Sequence, residues 1–152
     1  MHTEHRLVVH AEAARAYELA AAILDWPRIL PHYRWVRSLR QEGSRHLVAM
    51  GAVHNGIPLS WRCEQELEPH VPRILFRHVS GITNGMTAEW NFAPTSDGLV
   101  VSVLHDLKLD WPLFADFVSD RIIGPYFVDP ISAKTLATIC ELAELQRGGT
   151  GS

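Results

Sequence analysis

The chain lacks most of the features that would place it quickly. Two cysteines, Cys63 and Cys140, in 152 residues make no disulfide framework and suit a reducing, cytoplasmic setting. No run approaches the roughly 20 apolar residues that a membrane helix needs, so no integral membrane segment is expected. The opening MHTEHRLVVH has no long apolar stretch after a basic patch, and no signal peptide is expected. A basic excess is missing as well: the net charge is −3 with histidines neutral, which argues against a nucleic-acid partner. The nine histidines are scattered, with no His-x-His and no helical His-x-x-x-His pair, so neither a metal site nor a cofactor is expected. Internal repeats and low-complexity segments are absent.

What remains is an ordinary globular composition, 47% apolar and 20% charged, of a length that suits one domain with a real core. That domain is placed at residues 1–146, with RGGTGS (147–152) as a flexible tail. RLVV near the start reads as a strand. AEAARAYELAAAIL follows as a helix whose Ala13, Ala16, Tyr17, Ala20 and Leu24 share one face. DWPRILP allows only a short second helix. From residue 32 to about 110, strand-like runs alternate with turn signals, among them Asn55-Gly56, Asn84-Gly85 and Asp97-Gly98. Asn-Gly and Asp-Gly favour tight hairpins because both central residues need positive φ. Six antiparallel strands in a meander result. Past Trp111-Pro112 the pattern is helical to about Gln146, with Ile131, Thr135, Ile139 and Leu142 as the buried face. The fold class is α+β: a curved antiparallel sheet of about seven strands around a long C-terminal helix, with two short helices after the first strand.

Parity sorts the side chains. In IPLSWRCEQELEP (57–69), Leu59, Trp61, Cys63, Gln65 and Leu67 face inward. In RILFRHV the inward set is Ile74, Phe76 and His78; in MTAEWNF it is Met86, Ala88, Trp90 and Phe92. In the last strand it is Leu99, Val101, Val103, His105, Leu107 and Leu109. Tyr33 and Trp35 share a face in YRWVRSL, but Arg37 continues it, which raises a bulge; the run RHLVAMGAV has no clear parity. Burying Gln65, His78 and His105 unpaired costs roughly 3–9 kcal/mol, out of a total stability of about 5–15 kcal/mol. Either these groups pair with one another, or a wetted cavity lies between sheet and helix, the usual form of a small-molecule site.

DWPRILPHY (25–33), GIPLSWRCEQELEP (56–69), MTAEWNF (86–92), VSVLHDLKL (101–109) and TLATICELAE (135–144) together resemble the helix-grip fold. Birch-type pollen allergens, START domains and polyketide cyclases share that fold, and the match is to the bacterial polyketide cyclase/dehydrase group. The resemblance spans nearly the whole chain. It implies a deep cavity for a poly-β-ketone chain delivered on an acyl carrier protein, with aldol ring closure followed by dehydration. It also implies that Tyr33 is the pocket tyrosine. Where the group carries a Ser and then an Arg two residues on, this chain has Cys63 and Gln65, so the cation that would polarise a ketone is missing.

The candidate catalytic groups are Tyr33 as proton donor, His78 and His105 as acid/base or orienting groups, and Gln65 as a hydrogen-bond donor to a carbonyl. The plainer reading of the histidines is two core imidazoles bonded to backbone or to each other, and that of Tyr33 an amphipathic wall residue. Trp35, Trp61, Cys63, Phe76, Met86, Trp90 and Val103 are the candidate ligand-binding residues; core filling by the tryptophans and a structural Cys63 are the alternatives. Arg28, Arg34, Arg37 and Arg40 lie near the expected mouth, either docking an acidic carrier protein or guarding a strand edge. Two functions follow: a hydrophobic-ligand pocket with cyclase or dehydratase chemistry, or a non-enzymatic carrier of a quinone, lipid or aromatic metabolite.

Overall fold

Asn55 and Gly56 both adopt positive φ, 51° and 76°. This is the backbone a two-residue hairpin needs, and it joins two long strands in register from Arg45↔Glu66 to His54↔Ile57. The same meander logic builds the whole sheet. In this computed structural model, which describes residues 1–81, 83–107 and 118–150, the strands are β1 (His2–Val9), β2 (Tyr33–Glu42), β3 (Arg45–His54), β4 (Ile57–Glu68), β5 (Arg73–His78), β6 (Thr87–Thr95) and β7 (Gly98–Asp106). They form one antiparallel sheet in the order β1-β7-β6-β5-β4-β3-β2. Between β1 and β2 lie α1 (Ala13–Ala21), a 3₁₀ turn (Ile23–Asp25) and α2 (Trp26–Ile29). A π-helical segment (Ser119–Val128) leads into α3 (Asp129–Thr150), which packs on β1, β7 and α1.

Parity is borne out on the strands that it sorted. Cys63, Ile74, Phe76, Met86, Ala88, Trp90, Phe92, Leu99, Val101, Val103 and Leu107 are all buried. β3 turns His46, Val48, Met50 and Ala52 inward. Other expectations move. Leu24 is 52% exposed rather than buried, because α1 stops at Ala21 and the 3₁₀ turn changes the face. The buried stripe of α3 runs through Thr135, Leu136, Ile139, Cys140 and Ala143, and leaves Leu142 only partly covered. The helix continues past Gln146 to Thr150. Leu109 and the Trp111-Pro112 boundary lie outside the described residues. No described helix is long and apolar enough to cross a membrane.

Two candidate site residues are placed elsewhere by the backbone. β2 has a bulge between Tyr33 and Trp35: Tyr33 pairs with Ala52, while Trp35 pairs with the adjacent Gly51. One extra residue reverses the face, so Tyr33 points in and Trp35 points out. The Trp35 indole lies across Gly51, where a Cβ would collide with it, and the Arg37 guanidinium sits 5.4 Å from its ring centre. Trp35 is therefore a surface residue, 39% exposed, and not a cavity wall.

Gln65 does point inward and is buried, but its amide nitrogen donates to the Ala21 carbonyl at 2.9 Å. That carbonyl belongs to the last turn of α1, where helical acceptors run out of partners. Gln65 thus fastens α1 to the sheet. Gln65→Leu is expected to lower unfolding free energy in urea by about 1–3 kcal/mol, the usual loss when a buried acceptor is left without a donor.

Candidate functional site

The concave face of the sheet and the first turns of α3 do not meet over their whole length. A hollow separates them, with about 770 Å³ of non-atom space including its open mouth, of which about 90 Å³ admits the centre of a water molecule. Its walls are mostly apolar and rich in aromatic rings. Trp26, brought in by α2, lies 5.0 Å from Tyr33, 5.9 Å from Phe76 and 6.3 Å from Trp90, measured between ring centres. Trp61 on β4 lies 6.1 Å from Tyr33 and stacks on His78 at 5.5 Å with 15° between the planes. Met50, Met86, Val103 and Ile131 complete the apolar lining. Such soft and planar surfaces suit a flat apolar guest.

The polar groups are few, and their partners can be named. His78 extends β5 by one inward step beyond Phe76, opposite Cys63. Its Nδ1 is 2.8 Å from the hydroxyl of Thr83, on the loop that carries the chain to β6. Gly81, at φ 86°, lets this loop press against the Ser60 carbonyl and the Trp61 Cβ. His105 lies on β7 opposite Ala88 and also lines the hollow; its Nδ1 is shut from solvent and has no hydrogen-bond partner among the described residues. Burial holds both rings neutral, pushing His78 down to about 3, with help from the neighbouring His105, and His105 down to about 4, with help from His5.

Tyr33 meets the hollow from the start of β2. Burial raises its phenol well above the usual range, against a smaller opposing effect of the Thr135 hydroxyl. Thr135, one helical turn after Ile131 on α3, is 2.7 Å from the Ile131 carbonyl and 2.7 Å from His32 Nε2. His32 is itself buried, and burial lowers it to about 4. The single Thr135 proton has more than one place to go, so this hydroxyl joins strand, helix and phenol. Cys63 lines the hollow with its thiol 3.5 Å from the Met50 sulfur, and burial pushes it up to about 12. A protonated thiol with only a thioether beside it is a poor nucleophile.

Of the sequence candidates, Tyr33, Trp61, Cys63, Phe76, His78, Met86, Trp90, Val103 and His105 converge on the hollow. Gln65 and Trp35 do not, for the reasons given above. Thr83, Ser132 and Thr135 line it without having been singled out, and His32 supports it from behind. Among the described lining residues there is no Asp, Glu, Lys or Arg. The site can therefore accept a proton at a neutral imidazole, donate one from a phenol and hydrogen-bond through hydroxyls. It offers no fixed charge to hold an ion.

Comparison with known proteins agrees with this construction. The family model for "polyketide cyclase / dehydrase and lipid transport" matches residues 9–121. The actinorhodin polyketide synthase bifunctional cyclase/dehydratase of Streptomyces coelicolor is 29% identical over 148 residues, which is 93% of this chain and 45% of that protein. The chain thus spans less than half the length of that relative. The di-domain aromatase/cyclase BexL from the BE-7585A biosynthetic pathway superposes with a TM-score of 0.72 at 28% identity, covering 96% of this chain and 46% of the other. The Zhui aromatase/cyclase from Streptomyces sp. R1128 superposes with a TM-score of 0.78 at 19% identity, covering 95% and 93%, and so shares the fold. With its aromatic hollow between sheet and helix, and a family match over most of its length, the chain belongs to the polyketide cyclase/dehydrase and lipid transport family.

Proposed function

We propose that the chain binds an aromatic or polyketide-like small molecule in the hollow and assists its aldol cyclisation and dehydration. The observation that carries the reading is the convergence of Tyr33, His78 and His105 on one space walled in part by aromatic rings, with His105 lacking a hydrogen-bond partner among the described residues. In this scheme a neutral imidazole takes the proton from the carbon between two carbonyls. The resulting enolate carbon attacks a second carbonyl carbon of the same chain. Tyr33 gives its proton to the oxygen of that carbonyl, so that a new C–C bond and an alcohol stand; for the dehydration an imidazole takes the remaining proton from the same carbon, and the C–O bond breaks as a C=C bond forms. As Tyr33 loses its proton, the Thr135 hydroxyl turns from the Ile131 carbonyl towards the phenolate. The first ring proton returns to the phenolate and the second leaves with the departing hydroxide as water, so the resting state is restored. A carrier protein is the proposed source of the chain; Arg34 and Arg37, which form no ion pair among the described residues, offer its acidic surface a landing on β2. A cytoplasmic setting suits the free thiols of Cys63 and Cys140.

The second reading is a carrier of a quinone, lipid or aromatic metabolite. One observation favours it: both imidazoles are held far below neutrality in the empty hollow, where a base works best near the ambient pH, and no cation stands ready for an enolate.

Carrier-bound poly-β-ketone separates the two. Cyclisation by the wild type is expected to fall about 100-fold or more in Tyr33→Phe and His105→Ala, the usual weight of a positioned acid or base. Variants as fast as the wild type would remove the assigned roles. A wild type that binds the ketone without turning it over would establish the carrier.

The neutral imidazoles also set a pH dependence of folding. In the unfolded chain they titrate near 6.5, but in the fold His105 does so near 4. Between those values the unfolded chain takes up protons that the fold refuses, so stability falls with falling pH and levels off below the window. His105→Phe removes one such group. Its urea-derived stability is expected to decline less steeply than that of the wild type from pH 6.5 to 4, by about 1.4 kcal/mol per pH unit. Parallel slopes would mean that His105 takes up its proton without unfolding.

A further inference from the structure

The lining of the hollow is uncharged throughout its described residues, and this restricts what enters. An ion taken from water into such a space loses several kcal/mol of hydration and finds no counter-ion in return. The pair His5 and Asp129, 3.2 Å apart, joins β1 to the start of α3 and is absent from the lining. The hollow does hold uncharged hydrogen-bonding groups, and one of them is unsatisfied. His105 is buried to more than nine-tenths and lines the cavity, and neither of its ring nitrogens has a hydrogen-bond partner among the described residues; Nδ1 is shut off, which leaves Nε2 to meet a guest. His78, by contrast, is tied to Thr83.

We propose that the hollow takes an uncharged, planar, hydroxyl-bearing aromatic whose hydroxyl bonds the His105 ring, and that it rejects the carboxylate of the same ring system. This rests on the ligand-pocket reading above and narrows its substrate class. A hydroxyl is the matching group because a neutral imidazole presents one N–H and one lone pair, and a hydroxyl both donates and accepts. It therefore satisfies either tautomer, where an ether satisfies only one. The stacked Trp61–His78 pair and the Trp26 edge supply flat walls for the ring. Size restricts the guest: the hollow's water-accessible part, about 90 Å³, is below the roughly 150 Å³ of an engineered apolar cavity that holds benzene, so a two-ring guest keeps part of its skeleton in the open mouth.

Three probes of one skeleton test it by calorimetry at neutral pH: 2-naphthol, 2-methoxynaphthalene and 2-naphthoate. 2-Naphthol is expected to bind. 2-Methoxynaphthalene is expected to bind about 5-fold more weakly, the worth of one hydrogen bond. 2-Naphthoate should bind about 100-fold more weakly or worse, since it must leave its hydration behind. In His105→Leu the preference for hydroxyl over methoxy should vanish, and in His105→Gln it should persist. The wild type supplies a readout that needs no variant: the His105 ring nitrogen resonances should move on addition of 2-naphthol and not of its methyl ether. Naphthoate binding within about 3-fold of naphthol, a difference worth only about 0.7 kcal/mol, would overturn the inference and leave the pocket standing. An unmoved His105 resonance on naphthol binding would overturn its assignment as the hydroxyl partner. No binding by any of the three would overturn the pocket reading, and the inference with it.

Discussion

Trp26 keeps the two layers of this protein apart. It arrives on a helix of a single turn, held by prolines at both ends of WPRILP, and it is 3% exposed. Its ring meets Phe76 and Trp90 from the paired strands β5 and β6, and Tyr33 from β2 at the far edge of the sheet. A large flat side chain at that junction braces the curve of the sheet, and α3 packs against β1, β7 and α1 to one side of it. The hollow is the space left between the brace and the helix. The same ring that completes the core is thus also a wall of the site, so stability and ligand shape are set by one residue.

The chemistry of that space follows from what the walls exclude. Burial without counter-charges drives each titratable group towards its uncharged form: the imidazoles of His32, His78 and His105 downward, the phenol of Tyr33 and the thiol of Cys63 upward. Each of the five is thereby held uncharged over a wider pH range than it would be in water. A site of this kind recognises by shape and by hydrogen bonds, and those bonds are strong because little water competes for them.

Much of this was legible in the sequence, because period-two alternation is a direct consequence of strand geometry. The inward faces of β4 to β7 followed from it, and with them eight of the nine candidates that line the hollow; the ninth, Tyr33, came from the family resemblance. Parity has no term for a bulge, however, and the single extra residue after Tyr33 sent Trp35 to the other side. Gln65 shows a different limit. It has the inward parity of Trp61 and Cys63, yet β4 is twelve residues long and the hollow occupies only part of its inner face; further along, the same face meets α1. Alternation tells which side a residue faces and not what stands opposite. His32 and Thr135 escaped for a related reason. Thr135 was already on the buried face of the last helix, but its meeting with His32 joins positions 103 residues apart, and no local pattern records that.

The missing cation bears on how far the family's chemistry extends to this chain. An enolate or alkoxide forming in the hollow would find the Tyr33 phenol, the Thr135 and Thr83 hydroxyls and the two imidazoles, all of them neutral. Neutral donors can stabilise a negative charge only if they already point at it, since little water is present to reorganise in their place. Thr135 is held between Ile131 and His32, and Thr83 is held on His78, so each hydroxyl oxygen is fixed in place before any guest arrives and only its proton has to turn. Catalysis without an arginine would thus depend on the aim of hydroxyls rather than on charge. Loss of aim at Thr135 would then affect turnover more than binding, whereas in a pure carrier the same loss would affect binding alone.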